Sequence, residues 1–125
     1  MSGFLIDTNV FLNIFKGDLE LSRFIKESQS FIDATIYVEC IQGSKSNREK
    51  QIIEKYLQSF PLLPITPVSS SLTIKLMRKY SNSHGLLSPD ALIAATALEN
   101  DLAIITFDID DFKFIEGLNH LRPSN

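Results

Sequence analysis

With 125 residues and 44% apolar side chains, the chain is sized and composed for one folded domain over residues 1–125, not for a disordered segment. No stretch nears the roughly 18 consecutive apolar residues of a membrane span. Asp7 and Asn9 break the N-terminal apolar run that a signal peptide would need. The single cysteine, Cys40, excludes an internal disulfide and fits a reducing cytoplasm, and a net charge of -3 argues against tight nonspecific nucleic-acid binding by bulk charge.

Residues 3–7 are short and continuously apolar up to Asp7, the pattern of a buried strand. A helix is expected over residues 9–15, ended by Gly17, and a second from Asp18, as its cap, to about Lys26. Phe31-Ile32 reads as a strand, followed by a helix over residues 35–41 that closes near Gly43. Ser46 or Asn47 opens the next helix, with Ile52, Ile53, Tyr56 and Leu57 on one side. Residues 62–65 form a third strand candidate, and Pro64 within it predicts an edge position or a short strand. Residues 69–80 read as helix and 82–87 as loop. Ser88 then caps a helix over 88–100 with Pro89 at its first position, followed by a strand over 103–106 and a last apolar segment at 118–121. Strands alternating with helices give an α/β domain with a mostly parallel central sheet flanked by helices, whose ligands gather at the carboxyl ends of the strands.

Four acids sit where such a rim would form. Asp7 ends the first strand, Glu39 lies among Ile36, Val38, Cys40 and Ile41, Asp90 opens the Ala-rich helix, and Asp108 follows the last long strand. Ala91, Ala94, Ala95 and Ala97 are small enough for close packing of that helix on the sheet, which would hold Asp90 rigidly. Asp108, Asp110 and Asp111 crowd into four positions; Asp108 is the preferred fourth acid, Asp111 the reserve, and Asp110 is expected to face solvent. Asn9 and Thr106 are the expected supporting residues, Asn9 orienting Asp7 or donating to bound water or phosphate, and Thr106 bonding a ligand or the loop backbone. Converging carboxylates repel one another and make chemical sense with a hard divalent cation between them, Mg²⁺ or Mn²⁺. That cation would activate a water and stabilise charge on a phosphate, so a metal-assisted phosphodiesterase is expected.

His84 and His120 are isolated and read as surface or structural, which disfavours zinc. Five glycines form no phosphate-binding loop. Two basic concentrations, Lys45, Arg48, Lys50 and Lys55, and Lys75, Arg78 and Lys79, read either as solvated helix faces or as a grip on a phosphate backbone.

Phe4-Leu5-Ile6-Asp7-Thr8-Asn9-Val10, Thr35-Ile36-Tyr37-Val38-Glu39-Cys40, the run from Ser88 to Ala97 and the run from Thr106 to Phe112 together resemble the PIN-domain nucleases, and specifically VapC toxins of type II toxin–antitoxin pairs. The resemblance covers nearly the whole chain through the order and spacing of these pieces. It implies a PIN-like three-layer fold and Mg²⁺-dependent endoribonuclease activity on RNA. It carries the family's acids onto Asp7, Glu39, Asp90 and Asp108 (with Asp111 nearby) and its asparagine onto Asn9. It further implies a homodimer and a VapB-type antitoxin partner that threads a segment into the acidic groove. The helix bearing Glu39 departs from the family by ending in Ile41-Gln42-Gly43. A response-regulator receiver would need an acidic pair after the first strand, and a haloacid-dehalogenase-type phosphatase a second Asp at position 9; this chain has neither. The competing class is a noncatalytic PIN-like RNA-binding or structural module.

Overall fold

The computed structural model describes residues 3–123. Five strands, β1 (Phe4–Ile6), β2 (Ser30–Asp33), β3 (Leu62–Leu63), β4 (Ala103–Ile105) and β5 (His120–Leu121), form one sheet in the order β3-β2-β1-β4-β5. Every pairing between neighbours is parallel, with Leu5 opposite both Phe31 and Ile104. Parallel strands buried on both faces read as unbroken apolar runs. That is why Leu5, Ile6, Ile104 and Ile105 are all fully buried. β3 lies at one edge, where the proline after it breaks no ladder.

Six helices connect these strands: α1 (Thr8–Phe15), α2 (Leu19–Glu27), α3 (Ala34–Gln42), α4 (Asn47–Leu57), α5 (Pro67–His84) and α6 (Ser88–Glu99). α1 packs on α2 and α3, and α3 on α4; α5 packs on α6, which also meets β1 and β4. The connections from β1 through β2 to β3 run one way along the sheet, and the α5–α6 connection runs back across it. Right-handed crossovers therefore assign α1–α4 to one face and α5–α6 to the other. The alanines of α6 are buried with Ile93, so its backbone comes close to the strands.

Three boundaries differ from expectation. α5 starts at Pro67, because Thr66 and Ser69 cap each other's backbone in a reciprocal box, and it runs to His84, where Gly85 at φ 70° closes it in the left-handed conformation. The expected loop over 82–87 is therefore half helix. At α6 the cap residue is Leu87, with no side-chain bond, so Ser88 and Pro89 stand one position deeper than the sequence implied. α3 buries only Ile36 and Cys40, and Val38 is 60% exposed, so this helix is less enclosed than its apolar composition indicated.

The strand order reverses beside β1, which lies between β2 and β4 although β4 comes last but one in the chain. Such a switch point opens a crevice outside the carboxyl ends of the strands. Asp7 leaves β1 and Thr106 leaves β4 at that crevice. Across α1, the Phe11 ring meets Phe60 edge-on at 5.5 Å and Tyr56 at 6.2 Å, fixing the helix whose first turn borders the crevice. Among the described residues no helix is long and apolar enough to cross a membrane.

Candidate active site

Asp7 ends β1 and caps α1. Its Oδ1 accepts from Thr8 N at 2.8 Å and its Oδ2 from the Thr106 hydroxyl at 2.8 Å. The Thr8 hydroxyl donates to Glu39 Oε1 at 2.7 Å, so one residue orients two of the four acids. Asn9 faces the β4 loop and not Asp7. Its Nδ2 donates to Asp108 Oδ2 at 2.9 Å, and its Oδ1 accepts from Phe107 N at 3.2 Å. The Thr106 hydroxyl also accepts from Asp108 N at 3.0 Å. Glu39, Asp7 and Asp108, which come from three distant chain segments, are thus tied into one network through Thr8, Thr106 and Asn9.

Electrostatics join Asp90 to the same group. Its carboxyl is pushed up to about 7, first by burial and then by Asp7, Asp111, Glu39 and Asp108 in turn. Asp7, only 6% exposed, is pushed up to about 6 chiefly by burial; its bonds from Thr106 and Thr8 pull the other way, and Glu39 and Asp108 add repulsion. Asp111 is also raised, by partial burial and by Asp108 and Asp110. Asp110 turns away to Lys113 at 2.8 Å and is lowered by it. Hydrogen bonds thus gather Asp7, Glu39 and Asp108, Asp90 and Asp111 are joined to them by charge alone, and Asp110 stands outside.

Among the described residues no three His, Cys, Asp or Glu side chains converge on a point where one ion would sit. Three of the carboxylates each take a hydroxyl or amide donor, Asp7 from Thr106, Glu39 from Thr8 and Asp108 from Asn9. The donor set consists of carboxylate oxygens, which fits a hard divalent cation in kind, and the raised Asp7 and Asp90 are groups that such a cation would bring back to the charged form.

Cys40 is fully buried one residue from Glu39, and its thiol is pushed up to about 12 by burial and by the charges of Glu39 and Asp7, which makes it packing and not a nucleophile. His84 lies stacked on Phe114 with centroids 4.5 Å apart, and His120 pairs in the edge strand β5. Arg48, Lys50 and Lys55 lie on α4, and Lys75, Arg78 and Lys79 on α5, with Lys79 paired to Glu116 at 3.3 Å.

Sequence reasoning passed over two residues. Thr8 enters the sequence reading only as part of the motif after the first strand, although its hydroxyl reaches Glu39. Asp33 was not singled out; it caps α3 by accepting from Ile36 N at 2.9 Å, is fully buried, and leaves Oδ2 without a donor. The neighbouring Thr96 hydroxyl is spent on Leu92 O at 3.1 Å. An Asp between a strand and an apolar helix was the available signal. Burial raises the Asp33 carboxyl, so its charged form costs stability once the pH exceeds the ordinary aspartate range. Asp33→Asn keeps the capping oxygen and removes that charge. It should raise the melting temperature near pH 8 by roughly 4 °C, about 1 kcal/mol, with little change near pH 4. A lower melting temperature at pH 8 would refute this account of the cap.

The PIN domain family model matches residues 4–118. The chain is similar to Ribonuclease VapC1 of Rickettsia felis, 26% identical over 131 residues that span 98% of each chain. It is similar to Ribonuclease VapC10 of Mycobacterium tuberculosis, 29% identical over 119 residues, covering 91% of this chain and 89% of the other. Among solved structures it resembles a chain of a toxin–antitoxin complex from Klebsiella pneumoniae, with a TM-score of 0.76, 28% identity, and coverage of 91% of this chain and 93% of that one. A chain of DNA-bound VapBC from Salmonella typhimurium matches the fold with a TM-score of 0.83 at 21% identity over 98% of each chain.

Proposed function

The chain belongs to the PIN domain family, and from that premise we propose that it is an endoribonuclease dependent on Mg²⁺ or Mn²⁺, the cytoplasmic toxin of a VapBC-type pair. The observation that carries the reading is the network in which Thr8, Thr106 and Asn9 tie Asp7, Glu39 and Asp108, acids from three chain segments, together at one rim, beside Asp90, which burial and then these acids push up. A purely structural rim gains nothing from such repulsion, whereas a cation site does. The relatives named as ribonucleases, similar over nearly their whole lengths, support the same activity.

In this reading Asp7, Glu39, Asp90 and Asp108, with Asp111 beside them, are the residues that would hold the cation. When bound, the ion supplies a water of lowered pKa and charge stabilisation on the phosphate. Thr106 and Thr8 fix the Asp7 carboxylate through both oxygens, which limits the reorganisation needed on binding. Asn9 holds the β4 loop through Asp108 and Phe107, so the fourth acid is oriented by α1. Asp90, whose carboxyl is pushed up to about 7 by burial and neighbouring acids, is the acid whose ionisation a bound cation would favour most.

The antitoxin in this reading is supported by the Klebsiella likeness, a chain within a toxin–antitoxin complex. A basic segment from such a partner would complement the acidic rim. A mostly apolar groove of about 360 Å³, lined by Val38, Ile65, Pro89 and Leu92 and reaching Glu39, borders the acidic rim and offers such a segment an apolar seat; the homodimer rests on the family resemblance alone.

The test is incubation of the purified, antitoxin-free protein with total cellular RNA in Mg²⁺, in Mn²⁺ and in EDTA. Discrete fragments in metal and intact RNA in EDTA are expected. Intact RNA throughout, from folded protein that binds Mg²⁺, would favour the noncatalytic RNA-binding module.

A further inference from the structure

We propose that Arg122 is a backbone-phosphate contact for single-stranded RNA, holding a phosphodiester next to the one that is cut; the inference rests on the ribonuclease reading. β5 runs parallel to β4, and Thr106 N donates to Leu121 O at 3.1 Å, so residue 122 emerges at the same rim as the Thr106–Asp108 segment. The guanidinium donates from Nη1 to Phe107 O, and its Cζ lies 5.4 Å from the centroid of the Phe107 ring. Together with Phe107, Asp108, Ile109, Asp110 and Asp111 it lines a cavity of about 440 Å³.

Three carboxylates share that cavity with Arg122, yet among the described residues it forms an ion pair with none of them. Asp110 is paired with Lys113, and Asp108 takes its donor from Asn9. A long cationic side chain beside three acids, of which Asp111 takes no bond from a neighbour among the described residues, would ordinarily fold onto one of them. Here a carbonyl and an aromatic face hold it in place instead. An arginine carries five N–H donors in a planar fork, so anchoring one nitrogen leaves others to grip two oxygens of an anion. A carboxylate-held cation at Asp7 and Asp90 would draw one phosphate to the cluster, and the cavity along Asp108 and Asp111 gives the strand its next stretch of room. Arg122 supplies the positive charge there that the acids lack.

The competing explanation is a brace: the bond to Phe107 O would merely hold the acid-bearing loop. The two differ in what they move. Losing a phosphate contact weakens RNA binding and flattens its salt dependence, whereas losing a brace lowers metal affinity and melting temperature.

The experiment measures binding of a labelled single-stranded oligoribonucleotide in Ca²⁺, as a slow-reacting hard cation, across a salt series, for the parent protein, Arg122→Ala and Arg122→Lys. Ca²⁺ titration and melting curves are recorded alongside. The expected result for Arg122→Ala is a five- to tenfold weaker Kd and a slope of log K on log salt reduced by about 0.7, the value for one phosphate on a single strand, with unchanged Ca²⁺ affinity. Arg122→Lys should keep the slope and lose only part of the affinity, since it keeps the charge without the fork. An unchanged Kd and slope in Arg122→Ala would overturn the inference while parental RNA binding left the ribonuclease reading intact. Weaker Ca²⁺ binding with a lower melting temperature and an unchanged slope would replace it with the brace. Failure of the parent protein to bind RNA at all would remove both the ribonuclease reading and this inference.

Discussion

Asp7→Asn is expected to lower kcat/KM for metal-dependent RNA cleavage by about 10²–10³-fold, the equivalent of roughly 3–4 kcal/mol of transition-state stabilisation. The substitution removes one charge from the centre of the cluster and keeps the cap of α1, because the amide oxygen still accepts from Thr8 N. The Thr106 hydroxyl, which already accepts from Asn9 Nδ2 and Asp108 N, loses the acceptor for its proton, a cost of about 1 kcal/mol that is smaller than the relief of the buried charge. The variant should therefore fold, and without metal it should melt higher than the parent, because a buried carboxyl pushed up to about 6 by its surroundings no longer has to ionise. Lost activity with retained or increased stability is the signature of a site acid; lost activity with lost stability would mark Asp7 as a helix cap only. Asp110→Asn is the control. That side chain is exposed and bonded to Lys113, so it should leave cleavage within about twofold of the parent. Asp108→Asn and Asp111→Asn measured in the same assay separate the two claims to the fourth position. Asn9 grips Asp108, while Asp111 weighs more than Asp108 on Asp90. If neither substitution reduced cleavage by tenfold, the acid-rich turn would lie outside the site.

The strands and the acids at their ends were legible because they depend on local signals. Phe4-Leu5-Ile6 and Ala103-Ile104-Ile105 read as buried parallel strands because nothing polar interrupts them, and a sheet of that kind puts Asp7 and Thr106 at one rim. The edge position of β3 followed from Pro64 in the same way. The missed boundaries are those set by contacts made elsewhere. Ser81, Asn82 and Ser83 have loop composition but remain helical, because Tyr80 and His84 on that turn pack against Phe114, 34 and 30 residues further along the chain. Likewise no periodicity reveals that the Thr8 hydroxyl would reach Glu39 across 31 residues, or that Asn9 would serve Asp108 across 99 and not its own neighbour Asp7. Residue types at a strand end announce that a site exists. Which oxygen bonds which donor is decided by the crossing of three chain segments, and that information lies in the packing of α1 against the β4 loop.

The metal-free protein should lose stability as the pH rises from about 5 to about 8, and Mg²⁺ should restore it at the upper end. Both Asp7 and Asp90 have folded-state values above the ordinary 3.8, at about 6 and about 7. Below about pH 4 folded and unfolded chains both hold these protons, and no difference arises. Between 4 and 7 the unfolded chain has released protons that the folded chain still retains, so each further rise in pH favours unfolding. Above about pH 7 the penalty is complete. For Asp7, which is nearly buried, a shift of this size corresponds to roughly 3 kcal/mol at most, or a fall of roughly 10 °C in melting temperature. Asp90 is half-buried and solvent screening reduces its share, so it steepens the upper part of the curve without doubling the effect. Ordinary paired carboxylates push the other way, but only below about pH 5, which is why the window is restricted. A divalent cation between the carboxylates reverses the sign of their mutual repulsion, so millimolar Mg²⁺ should flatten the profile at pH 8 and change little at pH 5, where the site is still largely protonated. Asp7→Asn should flatten the metal-free profile on its own and blunt the Mg²⁺ response. A melting temperature that rose with pH across this window, or one that ignored Mg²⁺ at pH 8, would mean that the five acids do not share a cation, and the cleavage chemistry proposed for them would have no foundation.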